Sequence, residues 1–200
     1  MSIPSHFFVV DFEFTTFGKK TFGKPRAFFP EIIELGAVSI HAPSFEETEP
    51  LQAFVKPRFF PKLTQECVDL TQIYQNNVDS GISFEALLSL MKMHYSPEKT
   101  WFVAWGDSDR DVLQEACNRY KTTYPFLFED YVDLAEEYKL FYHHPRTPSL
   151  KSALEERQIQ AVGLTHSALD DARNTAQLFA DLVKAGWMPR RKPTCEPKSQ

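Results

Sequence analysis

The stretch Phe7-Phe8-Val9-Val10-Asp11-Phe12-Glu13-Phe14-Thr15 closes an apolar run with two carboxylates one residue apart. Phe7 to Val10 reads as a buried strand. Strand side chains alternate faces, so Asp11 and Glu13 point the same way, roughly 7 Å apart at about 3.3 Å per residue. Like charges on one face repel. A divalent metal between them is the economical resolution, and a solvated strand end is the plain alternative. A second acidic group, Asp107, Asp109 and Asp111, follows the apolar run Trp101 to Trp105. A third lies in Thr165-His166-Ser167-Ala168-Leu169-Asp170-Asp171. Ser167 and Asp170 fit a capping box, which makes Ser167 the N-cap, His166 N′ and Asp171 N4. N′ and N4 approach each other, and an imidazole beside a carboxylate can take a proton from a water on a metal that Asp171 holds. Taken alone, a capped helix with an exposed His explains the same residues.

Together the groups say more than each does alone. A strand-end Asp-x-Glu, an Asp after a later strand and a His-x4-Asp at a final helix occur in that order. Oxygen-only ligands favour a hard ion such as Mg²⁺ or Mn²⁺ over zinc. Four carboxylates can hold two such ions about 3.5–4 Å apart, as in-line phosphodiester chemistry requires.

The elements that position these groups follow from periodicity. Phe14 to Pro30 holds Lys19, Lys20, Lys24 and Arg26, no acid, and five Phe, with Gly18, Gly23 and Pro25 breaking regular structure. Basic plus aromatic is the composition of a single-strand nucleic-acid clamp; a hairpin loop whose rings pack on the core is the other reading. Glu31 to His41 and Leu51 to Lys56 read as second and third strands, antiparallel to the first. Leu63 to Ile73 and the pattern Phe84, Leu87, Leu88, Met91 read as helices. Trp101 to Trp105 is a fourth strand. Ser108 and Asp111 fit a capping box opening a helix through Val112, Leu113, Ala116 and Cys117. Phe126 to Tyr131 reads as a fifth strand, then Val132 to Phe141, Leu150 to Arg157 and Ser167 to Ala185 as helices. The fold class is α/β: a mixed five-stranded sheet, three antiparallel strands then parallel ones, flanked by helices. The site belongs at the C-terminal ends of the parallel strands. Residues 1–187 form one domain, and 188–200 read as a disordered tail.

Bulk composition excludes some classes. Cys67, Cys117 and Cys195 are odd in number and far apart, which gives neither a zinc knuckle nor a disulfide framework and favours a reducing compartment. Met1 to His6 has no basic n-region, and no apolar run approaches the roughly 20 residues of a membrane helix. The expected location is cytoplasmic. The formal charge of −5 argues against nucleic-acid binding only weakly, because carboxylates that ligate metal are not repulsive surface.

At these residues the sequence resembles a known family. DFEFT at Asp11, WGDSD at Trp105 to Asp109 and HSALDDARNTA at His166 are similar to the three motifs of the DEDDh (DnaQ-like) 3′–5′ exonuclease superfamily, which has an RNase H-like fold. EIIELGAV, FVKP, LTQECVDLTQI and SLKSALEERQI extend the resemblance to its ERI-1-like and KapD-like branch, nearly to Trp187. The resemblance implies that Asp11, Glu13 and Asp171 ligate the tighter of two Mg²⁺ or Mn²⁺ ions, and that Asp11 and Asp109 serve the second. It implies His166 as general base, and Phe14 and Thr15 as the grip on the 3′-terminal nucleotide. Asp107 and Asp111 rival Asp109, which is preferred because Leu113 follows four residues later. Gln72 stands where the family has Gly. The implied activity is release of nucleoside 5′-monophosphates from single-stranded 3′ ends of RNA or DNA, RNA slightly favoured. A regulatory binding protein on the same scaffold and a DNA-proofreading exonuclease are the alternatives.

Overall fold

The structure is a computed structural model that describes residues 4–18, 24–97 and 99–188. Lys19, Lys20, Phe22 and Gly23 of the basic loop, and all but Met188 of the expected tail, lie outside the described residues. In chain order the elements are β1 (His6–Phe14), β2 (Ile32–His41), β3 (Glu46–Phe54), α1 (Gln65–Thr71), α2 (Gln75–Asp79), α3 (Phe84–Met93), β4 (Thr100–Ala104), α4 (Ser108–Tyr120), β5 (Tyr131–Asp133), α5 (Leu134–Phe141), α6 (Leu150–Glu156) and α7 (Ala168–Lys184).

The strands form one sheet in the order β3-β2-β1-β4-β5. The pairs β1/β2 and β2/β3 are antiparallel, and β1/β4 and β4/β5 are parallel. This is the expected mixed sheet. Its two faces bury different halves of β1. Phe8, Val10 and Phe12 pack with Leu87, Met91 and Leu113 of α3 and α4. Phe7 and Val9 pack with Leu178, Phe179 and Leu182 of α7. The strand's period of two therefore decides which helix layer each side chain meets. No helix among the described residues is long and apolar enough to cross a membrane.

Several boundaries differ from expectation. β3 starts at Glu46, not Leu51, because its first five residues are exposed edge-strand positions with no apolar alternation to betray them. Phe126 packs into the core from a loop, a 3₁₀ turn covers Phe128–Asp130, and the fifth strand is only Tyr131–Asp133. Helix α5 begins after it because Asp133 caps it, accepting the Glu136 N–H at 3.0 Å. Helix α4 has Asp107 at its N-cap with no side-chain cap bond, so Ser108 is helical rather than capping. Asp111 turns instead to Arg110, at 2.8 Å. Helix α2 was not anticipated. At the C-cap of α1, Gln72 adopts φ +57°, the left-handed conformation that favours glycine.

Candidate active site

Asp11 and Glu13 continue the face of β1 that carries Phe7 and Val9, and so project toward the start of α7. In the antiparallel register Asp11 faces Gly36 and Glu13 faces Glu34. The register slips between Glu13 and Phe14, a bulge of the kind that re-aims side chains at strand ends.

Asp109 reaches the same strand from the opposite side. The β1/β4 ladder ends at Val9, and three residues later the Phe12 N–H donates to Asp109 Oδ1 at 2.9 Å. Asp109 is buried, whereas Asp107 and Asp111 are surface residues paired with Arg110. Spacing alone left three candidates, and only Asp109 turns inward.

Helix α7 brings the last two groups. Ser167 is its N-cap as expected, but no capping box forms. Asp170 instead accepts the Leu164 N–H at 2.9 Å, and Asp171 accepts the His166 N–H at 3.0 Å. That second bond holds His166 at φ +63°, in the left-handed region. The imidazole then lies at the rim, with Nδ1 3.8 Å from Glu13 Oε1. Glu13, His166 and Asp171 each offer a ligand atom, all within 4.8 Å of one another. Asn174 anchors the approach to His166 by bonding both backbone groups of Val162, at 2.9 and 3.1 Å.

Glu34 was missed by sequence reasoning. It is the only carboxylate inside β2 and is almost fully buried. Its Oε2 accepts the Ala168 N–H at 3.2 Å and its Oε1 accepts from Gln52 at 2.6 Å. It thus caps α7 from the strand opposite Glu13. Gly36 lets this happen, because a Cβ there would lie 1.9 Å from the Ala168 carbonyl carbon. A charge and a glycine two apart in an otherwise apolar strand were the available signal.

The assembled carboxylates resist ionising together. Burial, then Asp171, Glu34 and Asp109, push Glu13 up to about 8. Burial raises Asp109 to about 7. Burial and then Asp109, Asp171 and Glu13 hold Asp11 well above the carboxylate range. Asp171 is raised by burial, opposed by the His166 N–H it accepts. Such a set of oxygen donors suits a hard divalent cation, which would let all of them ionise at neutral pH.

Phe14 and Thr15 follow directly. Phe14 packs half-buried against the α3/α4 core. Thr15 is buried, and its Oγ1 accepts the Glu31 N–H at 2.9 Å, leaving the hydroxyl proton to donate.

The comparisons agree with this architecture. The chain superposes on the nuclease domain of 3′hExo, a DEDDh family member bound to rAMP, with a TM-score of 0.85 over 97% of this chain and 99% of that one, at 26% identity. This is the RNase H-like exonuclease fold. The Exonuclease (RNase_T) family model matches residues 8–179. The probable 3′–5′ exonuclease KapD of Bacillus subtilis is 37% identical over 172 residues, 86% of this chain and 81% of KapD. ERI1 exoribonuclease 2 of Mus musculus is 32% identical over 92% of this chain, which spans only 29% of that larger protein. The chain belongs to the RNase_T exonuclease family, among the DEDDh 3′–5′ exonucleases.

Proposed function

We propose that the chain removes nucleotides one at a time from single-stranded 3′ ends, RNA slightly ahead of DNA, releasing nucleoside 5′-monophosphates. The observation that carries this is the cluster of Glu13, Asp171 and His166, with ligand atoms within 4.8 Å of one another, and the buried Asp11 and Asp109 whose charges act on it. The RNA preference draws on relatives named exoribonucleases and on the rAMP bound by 3′hExo. The nuclease unit runs to Trp187, whose ring packs on Phe179.

Asp11, Glu13 and Asp171 would hold one Mg²⁺ or Mn²⁺, and Asp11 with Asp109 a second. Bound there, the ions supply Lewis-acid polarisation of the scissile phosphodiester and offset the charge that builds on its oxygens. His166 accepts the proton of the attacking water. Its backbone bond to Asp171 and the Glu13 carboxylate 3.8 Å from Nδ1 keep the ring at the reaction. Oxygen attacks phosphorus in line, the bond to the 3′ oxygen of the preceding nucleotide breaks, and that oxygen takes a proton. Phe14 and Thr15, one and two residues beyond Glu13, hold the terminal nucleotide.

The test is degradation of matched RNA and DNA oligomers, single- and double-stranded, under metal titration. Stepwise shortening from the 3′ end with monophosphate products is expected, and Asp11→Asn and His166→Ala should abolish it while the fold persists. Oligomers left intact by the wild type in Mg²⁺ and Mn²⁺ would overturn the proposal.

A further inference from the structure

Past the end of β1 stands a wall that the chemistry above does not use. Segments 24–30 and 55–64 contain five cations, Lys24, Arg26, Lys56, Arg58 and Lys62, and no carboxylate, in a chain of formal charge −5. Each segment carries a Phe pair, and the pairs interlock: Phe29 meets Phe59 and Phe60 edge-on at 5.3 and 5.2 Å. The Arg58 guanidinium lies over Phe59 and Tyr120 at 5.6 and 5.8 Å, with no ion-pair partner among the described residues. Phe59 nevertheless leaves 42% of its surface in solvent. The adjoining cleft, about 520 Å³, is lined by Lys56, Arg58, Phe84 and Tyr120, with Glu85 its one acid.

Glu31 ties the wall to the end of β1. The buried Glu31 carboxylate accepts the backbone N–H groups of Arg58, Phe59 and Phe60 at 2.8, 3.1 and 2.6 Å, and the Tyr120 hydroxyl at 3.0 Å. The backbone of Glu31 is itself bonded to Thr15 in both directions, at 2.8 and 2.9 Å. Thr15 lies two residues past Glu13, about 7 Å along an extended chain. An exposed ring held in place in advance, beside a guanidinium with no ion-pair partner among the described residues, is what a flexible single strand needs: a π-face for a base and charge for phosphates, with little ordering cost.

We propose that this shelf binds the single strand upstream of the two nucleotides that flank the scissile bond, with a base stacked on Phe59 and phosphates on Lys56 and Arg58. The direction of the strand rests on the exonuclease reading; the binding does not. Phe59→Ala and Arg58→Ala keep the backbone N–H groups that Glu31 holds, so the shelf stays built. The experiment measures anisotropy of a fluorescent single-stranded oligomer long enough to span site and shelf, in EDTA, and separately the hydrolysis of that oligomer and of a dinucleotide in Mg²⁺. Phe59→Ala should weaken oligomer binding about tenfold. Arg58→Ala should flatten the plot of log affinity against log salt by about 0.7. Dinucleotide hydrolysis should match wild type in both. Oligomer binding that is absent in wild type, or unchanged in both variants, overturns the shelf. If binding falls in the variants while wild type hydrolyses nothing, the shelf stands and the exonuclease reading is the one that fails.

Discussion

Replacing Gly36 with Ala adds one methyl group to β2 and should disable the site without touching a carboxylate. The added Cβ would sit 1.9 Å from the Ala168 carbonyl carbon, 2.0 Å from the Leu169 nitrogen and 2.2 Å from the Ala168 oxygen. These are backbone atoms, so no side chain can swing aside. Non-bonded carbons pack at about 3.5–4.0 Å, so the start of α7 must retreat by about 1.5 Å. That retreat stretches the 3.2 Å bond from the Ala168 N–H to Glu34 and carries Asp171 and His166 away from Glu13. Overpacking costs about 1–3 kcal/mol, and the strained hydrogen bond adds about 1 kcal/mol. At about 2–4 °C per kcal/mol for a chain of this size, melting should fall by roughly 5–10 °C. Misplacing catalytic groups by about 1 Å costs about a hundredfold in rate. Thermal denaturation by circular dichroism and steady-state kinetics on an RNA oligomer read the two effects. The loss should fall on kcat more than on KM, because the atoms the added Cβ meets belong to the start of α7, which carries Asp171 and follows His166. Wild-type melting together with wild-type turnover would refute the close-approach argument.

Three further outcomes follow from the same geometry. Without a cation, Glu13 at about 8 and Asp109 at about 7, against ordinary values of 4.5 and 3.8, retain protons that the unfolded chain releases. Stability in EDTA should therefore fall as pH rises from about 4 to about 8, by several kcal/mol at about 1.4 kcal/mol per unit, and Mn²⁺ should restore it most at the alkaline end; equal melting at both ends would contradict this. Glu34→Ala leaves the buried Ala168 N–H without its partner, so it should cost about 1–3 kcal/mol in urea titration and lower kcat more than KM. Gln72→Gly relieves a left-handed non-glycine residue at φ +57° and should raise the melting temperature by about 2–4 °C, less what the lost Gln72–Asp69 bond supplied.

Asp11 and Glu13 were legible because a strand's period of two leaves no freedom: once Phe7 to Val10 is a buried strand, the carboxylates share a face. The pairing of strands was legible from spacing. Asp109 was chosen among three acids through the resemblance, on the spacing to Leu113; strand and helix patterns alone do not pick it, because the inward acid depends on where β4 ends against β1 and so on which carboxylate meets the Phe12 N–H. The expected capping boxes at Ser108 and Ser167 failed for one reason: long-range or neighbouring partners competed for the same groups. Arg110 takes Asp111, and the Leu164 loop takes Asp170. Glu34 stood out as a charge two residues before a glycine in β2, but its role requires the register that sets it opposite Glu13 and the crossing that brings Ala168 over Gly36. Local pattern reads an element; it does not read which distant backbone donor an acid will meet.

The bond between Glu34 and the Ala168 N–H joins residues 134 apart in sequence, and it sets when the site can come into being. Synthesis delivers β1, β2, β4 and α4 first, with Asp11, Glu13 and Asp109 among them. His166 and Asp171 arrive on the last helix. Until the α7 segment has emerged and docked on β2, the nascent chain holds Asp11, Glu13 and Asp109 without His166 or Asp171. The site therefore closes in one late event, the docking of the His166–Asp171 turn onto a sheet that already carries Asp11, Glu13 and Asp109.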